Sequence, residues 1–147
     1  MVSPCPTWTS WPSSWGSYAE AWNLADLDSI VGAYATPCFV VKGGQVLRHQ
    51  DEVAKHGYFG DLLAGNQREG PHTWSLAELD ARQLGRDAAM VTVRWVCRRP
   101  DGSTIWDFAD SYLAALEEGR WRILGDVVHA WSPRALRGPA RACGWSR

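Results

Sequence analysis

Apolar positions along the chain change period twice, and each change marks a boundary between kinds of structure. From Trp15 to Ala25 they recur at three- and four-residue steps, the spacing of one helix face. Trp8, Trp11, Trp15, Tyr18 and Trp22 extend that stripe toward the N-terminus. Pro12 fits a helix only in its first turn, so the helix is expected to begin near Ser13 or Ser14. Ala25-Asp26-Leu27-Asp28 reads as a cap opening a second short helix that buries Leu27, Ile30, Val31 and Tyr34 and ends at Pro37. Cys38 to Lys42 alternates as a strand, Gly43-Gly44 turns the chain, and Gln45 to Arg48 returns. Asp51 starts a third helix through Val53, His56, Phe59, Leu62 and Leu63, closing at Gly65-Asn66.

After Pro71 the period falls to two. Strands are expected at Thr73–Leu84, Ala88–Arg98, Thr104–Leu116 and Trp121–Ala130. Gly85-Arg86-Asp87, Pro100-Asp101-Gly102 and Glu117-Glu118-Gly119 are the turns between them. Long strands joined by tight turns make an antiparallel meander, and helices segregated from such a sheet make an α+β fold. A curved sheet wrapped over three helices encloses a conical pocket. Residues 1–14 form an irregular lead-in rich in Trp, Pro and Ser, residues 15–132 the domain, and residues 133–147 a basic tail.

Composition changes this picture in three places. A chain of 147 residues can bury a core without staples, and ten tryptophans belong in a core, pocket or interface. A formal net charge of −1 gives no argument for a polyanionic partner, and the spaced Arg134, Arg137, Arg141 and Arg147 leave nucleic-acid binding the weakest option. Cys5, Cys38, Cys97 and Cys143 form no CxxC pair and have no zinc spacing with histidine, so reduced thiols and a cytoplasmic location are expected, with no metal. Neither a signal peptide nor an apolar segment long enough to span a membrane is expected.

The candidate chemistry centres on Asp110. On a strand, Trp106, Phe108, Asp110 and Tyr112 share one face, so a carboxylate is set among aromatic rings. Lost hydration raises its pKa, and a neutral carboxyl can donate a hydrogen bond. The opposite face carries Ile105, Asp107, Ala109, Ser111 and Leu113, which makes Asp107 the solvated carboxylate of the two.

The element order resembles the NTF2-like superfamily, which includes ketosteroid isomerases, SnoaL-like polyketide cyclases, scytalone dehydratase and limonene epoxide hydrolase. The carrying stretches are Tyr18 to Asp28, Ile30-Val31-Gly32-Ala33-Tyr34-Ala35 and Gly119-Arg120-Trp121-Arg122-Ile123. The resemblance covers about Trp15 to Ser132 and implies a cone-shaped fold, a hydrophobic small-molecule ligand, no cofactor and a homodimer. The fold carries many chemistries, so it does not by itself assign one. Against ketosteroid isomerase, Tyr18 falls at the first-helix oxyanion-hole tyrosine, Asp110 at the protonated aspartate, and Tyr34 at the second-helix tyrosine. The aspartate that serves there as base falls at Lys42.

Tyr18 and Asp110 could then polarise a carbonyl or epoxide oxygen, or simply hydrogen-bond each other inside the core. Lys42 borders the Gly-Gly turn, where an ammonium sits on a rim; turned inward it would be a base or an anion anchor. His56 on the third helix is a second proton-shuttle candidate if it faces the cavity. Asp126 and His129 lie three apart on the last strand, so in a regular strand only one faces inward; His129 is kept as a weaker candidate beside Trp22, Tyr34, Trp106, Phe108 and Tyr112 as ligand-binding residues. A bulge would overturn that parity. Two readings remain open. One is a cofactor-independent enzyme doing isomerisation, dehydration or cyclisation on a hydrophobic substrate; the other is a non-catalytic ligand-binding or scaffolding domain.

Overall fold

Asp26 and Asp51 each open a helix by accepting a backbone N–H three residues on, from Ser29 at 3.2 Å and from Ala54 at 2.8 Å. The computed structural model describes residues 11–131, so Trp8, Cys5, Cys143 and the basic tail lie outside the described residues. Helix α1 spans Trp11–Asn23 with Pro12 in its first turn, an earlier start than the expected Ser13 or Ser14. Helix α2 spans Leu27–Gly32 and helix α3 Glu52–Arg68. The third helix runs past the expected Gly65-Asn66 end because the left-handed residue that stops it is Gly70, at φ 79°.

Strands follow as β1 (Tyr34–Lys42), β2 (Gln45–His49), β3 (Thr73–Leu84), β4 (Ala88–Arg98), β5 (Thr104–Glu117) and β6 (Arg120–His129). Pro37 therefore stands inside a strand, and Tyr34 begins that strand rather than ending a helix. The Ala33 N–H reaches back to Ile30, while its carbonyl accepts from Ile123 N–H at 2.9 Å. That second bond pulls the chain out of the helix and onto the sheet. Tyr34 still faces the interior, 1% exposed.

The six strands form one sheet in the order β2-β1-β6-β5-β4-β3. β3 to β6 make the expected antiparallel meander. The β1–β2 hairpin joins it by a parallel pairing of β1 with β6, so the sheet is mixed at that one seam. The three helices pack on the inner face, where Val91, Val93, Tyr112 and Ala114 meet Trp15, Ile30, Val31 and Phe59. The outer face carries Thr92, Arg94, Asp107 and Ser111. Arg94 grips Asp107 there through two nitrogens at 3.0 and 2.8 Å, which holds the Asp107 carboxyl below its ordinary range.

Two contacts fix the seam. Lys55 on α3 is 1% exposed, and its ammonium donates to the Tyr34 carbonyl at 2.9 Å, Thr36 Oγ1 at 2.8 Å and Glu52 Oε1 at 3.0 Å. All three ammonium donors are thereby used, which is what a buried charge requires. On the other side of the sheet a Cβ at Gly125 would fall inside the Phe39 ring, so only glycine lets β1 and β6 approach with that ring between them.

Replacing Lys55 by Met removes the ammonium that the Tyr34 carbonyl and Thr36 Oγ1 accept from inside the protein, and is expected to cost about 2–4 kcal/mol in urea unfolding. Gly125→Ala is expected to cost about 1–3 kcal/mol by overpacking, and adding Phe39→Ala should recover part of it. A double variant no more stable than Gly125→Ala alone would show that the ring is not the obstacle.

Candidate functional site

The inner face of the sheet and helices α1 and α3 enclose a half-open cavity of about 570 Å³. Its size suits a small organic ligand. Tyr18 and Trp22 reach it from α1, Tyr58 and Phe59 from α3, and Tyr34 from the start of β1. Trp95 comes from β4, while Trp106, Phe108, Asp110 and Tyr112 come from β5 as one face of the strand. Lys42, Asp61 and Arg68 line the same space and are all exposed, which puts them at its mouth.

The hydroxyls inside form two separate groups. Tyr18 and Tyr34 meet oxygen to oxygen at 2.9 Å. Trp95 Nε1 donates to the Tyr112 hydroxyl at 2.9 Å, which in turn donates to Asp110 Oδ2 at 3.1 Å. The direct Tyr18–Asp110 bond considered from sequence is therefore not made. Burial pushes the Tyr18, Tyr34 and Tyr112 hydroxyls above their ordinary range, so they remain proton carriers at neutral pH.

Asp126 is the residue the sequence did not single out. Leu113 pairs with Gly125 but Ala114 with Ile123, so Leu124 is an extra residue and the alternation of β6 reverses there. Ile123 and Asp126 consequently both face inward, with Asp126 opposite Tyr112. Gly125 inside a strand pattern was the available signal, because an isolated glycine there marks a bulge or a close approach.

Asp110 and Asp126 are 7% and 5% exposed, and their side chains exchange a hydrogen bond. The Oδ1 atom of each is shut off from solvent and has no hydrogen-bond partner among the described residues, which raises the cost of charging either carboxyl. Burial raises both acidities' midpoints, and the neighbouring carboxylate raises Asp110 further, well above the usual carboxylate range. Asp126 is raised to about 6 by burial, moderated by the hydrogen bond from Asp110. Near neutral pH the pair thus holds one proton and one negative charge. Lys42 lowers both through space without forming an ion pair with either.

Two expected residues lie elsewhere. His56 is on the exposed side of α3, with Nδ1 2.8 Å from the Glu52 carbonyl and Nε2 3.4 Å from Asp28. It does not face the cavity; it lies at the edge of the stripe that buries Lys55, Phe59 and Leu63, and its ring is drawn aside to Glu52 and Asp28. His129 sits on the outer face beyond the bulge, with Nε2 2.9 Å from Ser111 Oγ and Nδ1 3.0 Å from the Ala130 carbonyl. His49 belongs to β2 and is buried, its ring 4.5 Å from that of Tyr58, and burial lowers its pKa.

The raised carboxyls carry a stability consequence. A folded-state pKa above the unfolded value means the native chain binds more protons between the two, so stability falls as pH rises. For Asp126 that window runs from the ordinary value of 3.8 to about 6. Asp126→Asn is therefore expected to be more stable than wild type at pH 8 and to lose that advantage by pH 4. Melting temperatures of the two proteins across that range check it, and a variant less stable at pH 8 would contradict it.

The chain has no match among curated proteins. Among solved structures it is similar to an NTF2-like protein of unknown function from Pseudomonas putida KT2440, with TM-score 0.69, 18% identity, and coverage of 84% of this chain and 85% of that one. A proposed ketosteroid isomerase from Shewanella frigidimarina NCIMB 400 gives TM-score 0.60 at 18% identity over 79% and 91% of the two chains. An NTF2-like protein with a cystatin-like fold from Novosphingobium aromaticivorans gives 0.66 at 14% identity over 84% of each. These likenesses concern the fold. The family model described as NTF2-like protein (DUF6841) matches residues 14–130, the span of all nine elements but the first turn of α1, and the chain belongs to that family.

Proposed function

We propose that this protein is a cofactor-independent enzyme that moves protons on a hydrophobic small molecule, in an isomerisation, dehydration or cyclisation. The observation that supports it is the Asp110–Asp126 carboxyl pair facing an aromatic cavity. Lys42 stands where the resemblance would place a base, and Asp126 supplies the missing carboxylate from a different strand. In this reading ionised Asp126 takes a proton from carbon while neutral Asp110 donates its proton to the substrate oxygen. The pair then still holds one proton and one charge, so no second charge has to be buried during the step. Tyr112, fixed by Trp95, holds Asp110 in place.

A ligand-binding domain without turnover is the second reading. It is favoured by one observation, that Tyr18 and Tyr34 direct their hydroxyls at each other. A hydrophobic ligand is common to both. A homodimer and a cytoplasmic location belong to the same proposal and rest on the resemblance and on the reduced-thiol reading of the cysteines. Among the described residues no helix is long and apolar enough to cross a membrane.

Deuterium uptake at the α-carbon of 2-tetralone in D₂O, followed by NMR, reads proton abstraction directly. The rate above buffer is expected to rise with pH through about 6 as Asp126 ionises. Asp126→Asn and Asp110→Asn should each lower it by about 10²–10⁴-fold, the usual worth of a positioned acid or base. Tyr18→Phe should lower it by only about tenfold, since Tyr34 still offers a hydroxyl. Uptake that is unchanged in both aspartate variants removes the catalytic reading.

A further inference from the structure

The charge balance of the cavity has a bearing on which ligand it takes. The carboxyl pair leaves one negative charge on an inner wall made mostly of aromatic rings, and among the described residues no ion-pair partner meets it. An unpaired buried charge is costly, and a ligand that brings the opposite charge relieves that cost on binding. The faces of aromatic rings are negative and attract a cation as well. A neutral ligand gains from the rings alone. An anionic one would add a second negative charge beside the first.

We propose that the cavity binds a hydrophobic amine, its ammonium seated against the Asp110–Asp126 carboxyl pair and its apolar body among the surrounding rings. This goes beyond the proton-transfer reading and does not need turnover. The other charged and titratable groups around the pair are compatible with it. The hydroxyls of Tyr18 on α1, of Tyr34 on β1, of Tyr58 on α3 and of Tyr112 on β5 keep their protons at neutral pH, and that of Tyr58 is pushed up to about 12. At the mouth, Asp61 and Arg68 are opposite in sign and both exposed. Among the described residues Lys42 is the cation that acts on the pair through space, and its exposed position lets solvent screen it. It opposes an ammonium, and that gives the proposal a signed test.

Three ligands with one ring system separate the possibilities: 2-naphthalenemethanamine, 2-naphthalenemethanol and 2-naphthoate, titrated calorimetrically into the full chain. At pH 8 the amine should bind about tenfold or more tightly than the alcohol, and naphthoate most weakly. At pH 5, where the pair holds both protons, the preference for the amine should shrink. Replacing both carboxyls, Asp110→Asn with Asp126→Asn, should lose the preference while still binding the alcohol, which also reports that the cavity is intact; Asp110→Asn alone keeps the Asp126 carboxylate and should retain it. Lys42→Gln should bind the amine a few-fold more tightly. Equal binding of amine and alcohol at pH 8, tightest binding of naphthoate, a preference that survives loss of both carboxyls, or no binding by any of the three each overturns the proposal. Because no turnover is read, these outcomes leave the deuterium-uptake result standing on its own.

Discussion

Two carboxyl groups held together in a buried aromatic cavity oppose each other's ionisation, because burial and a neighbouring negative charge both disfavour the charged form. They share a proton. That constraint separates their acidities, leaving Asp110 as a neutral donor and Asp126 as a carboxylate with a midpoint of about 6. The surrounding interactions serve this arrangement: the Trp95–Tyr112–Asp110 chain orients one carboxyl, and the rings of Trp106 and Phe108 line the same wall. It is also an arrangement that lowers stability at neutral pH, as sites suited to proton transfer commonly do.

Asp126 reaches the pair only because β6 is irregular. The extra residue at Leu124 reverses the strand's alternation, and Gly125 lets the Phe39 ring lie over the backbone just beyond it. The parallel pairing with β1 holds this stretch in place, and Lys55 ties the beginning of β1 to α3. A bulge, a glycine, one ring and one buried ammonium thus place a carboxylate on a wall that regular alternation would have turned outward.

What could be read from the sequence divides along the same line. The four-strand meander, its three glycine turns, the Asp26 and Asp51 caps and the aromatic face of β5 all depend on local spacing, and local spacing is what a sequence displays. Asp110 was legible for that reason. The β1–β6 seam was not, since a parallel pairing between distant segments leaves no local pattern. The inward turn of Asp126 depended on one unpaired residue, and counting by twos across it assigned the wrong face to His129. His56 was misplaced for a related reason: one helix face buries Phe59 and Leu63, while a lone polar residue one turn earlier lies around the edge of that stripe. Lys55, the buried cation of α3, has no sequence signature, because its partners include a backbone carbonyl from another element.

The sharing of one proton by Asp110 and Asp126 can be read from a carboxyl-carbon NMR titration. Asp110→Asn and Asp126→Asn provide the assignments. The Asp126 signal is expected to move with a midpoint near 6 while Asp110 stays protonated to higher pH. Asp110 should titrate at a lower pH once Asp126→Asn removes the neighbouring charge. Two signals that both move near the ordinary aspartate value of about 3.9, unaffected by each other's replacement, would show that no proton is shared.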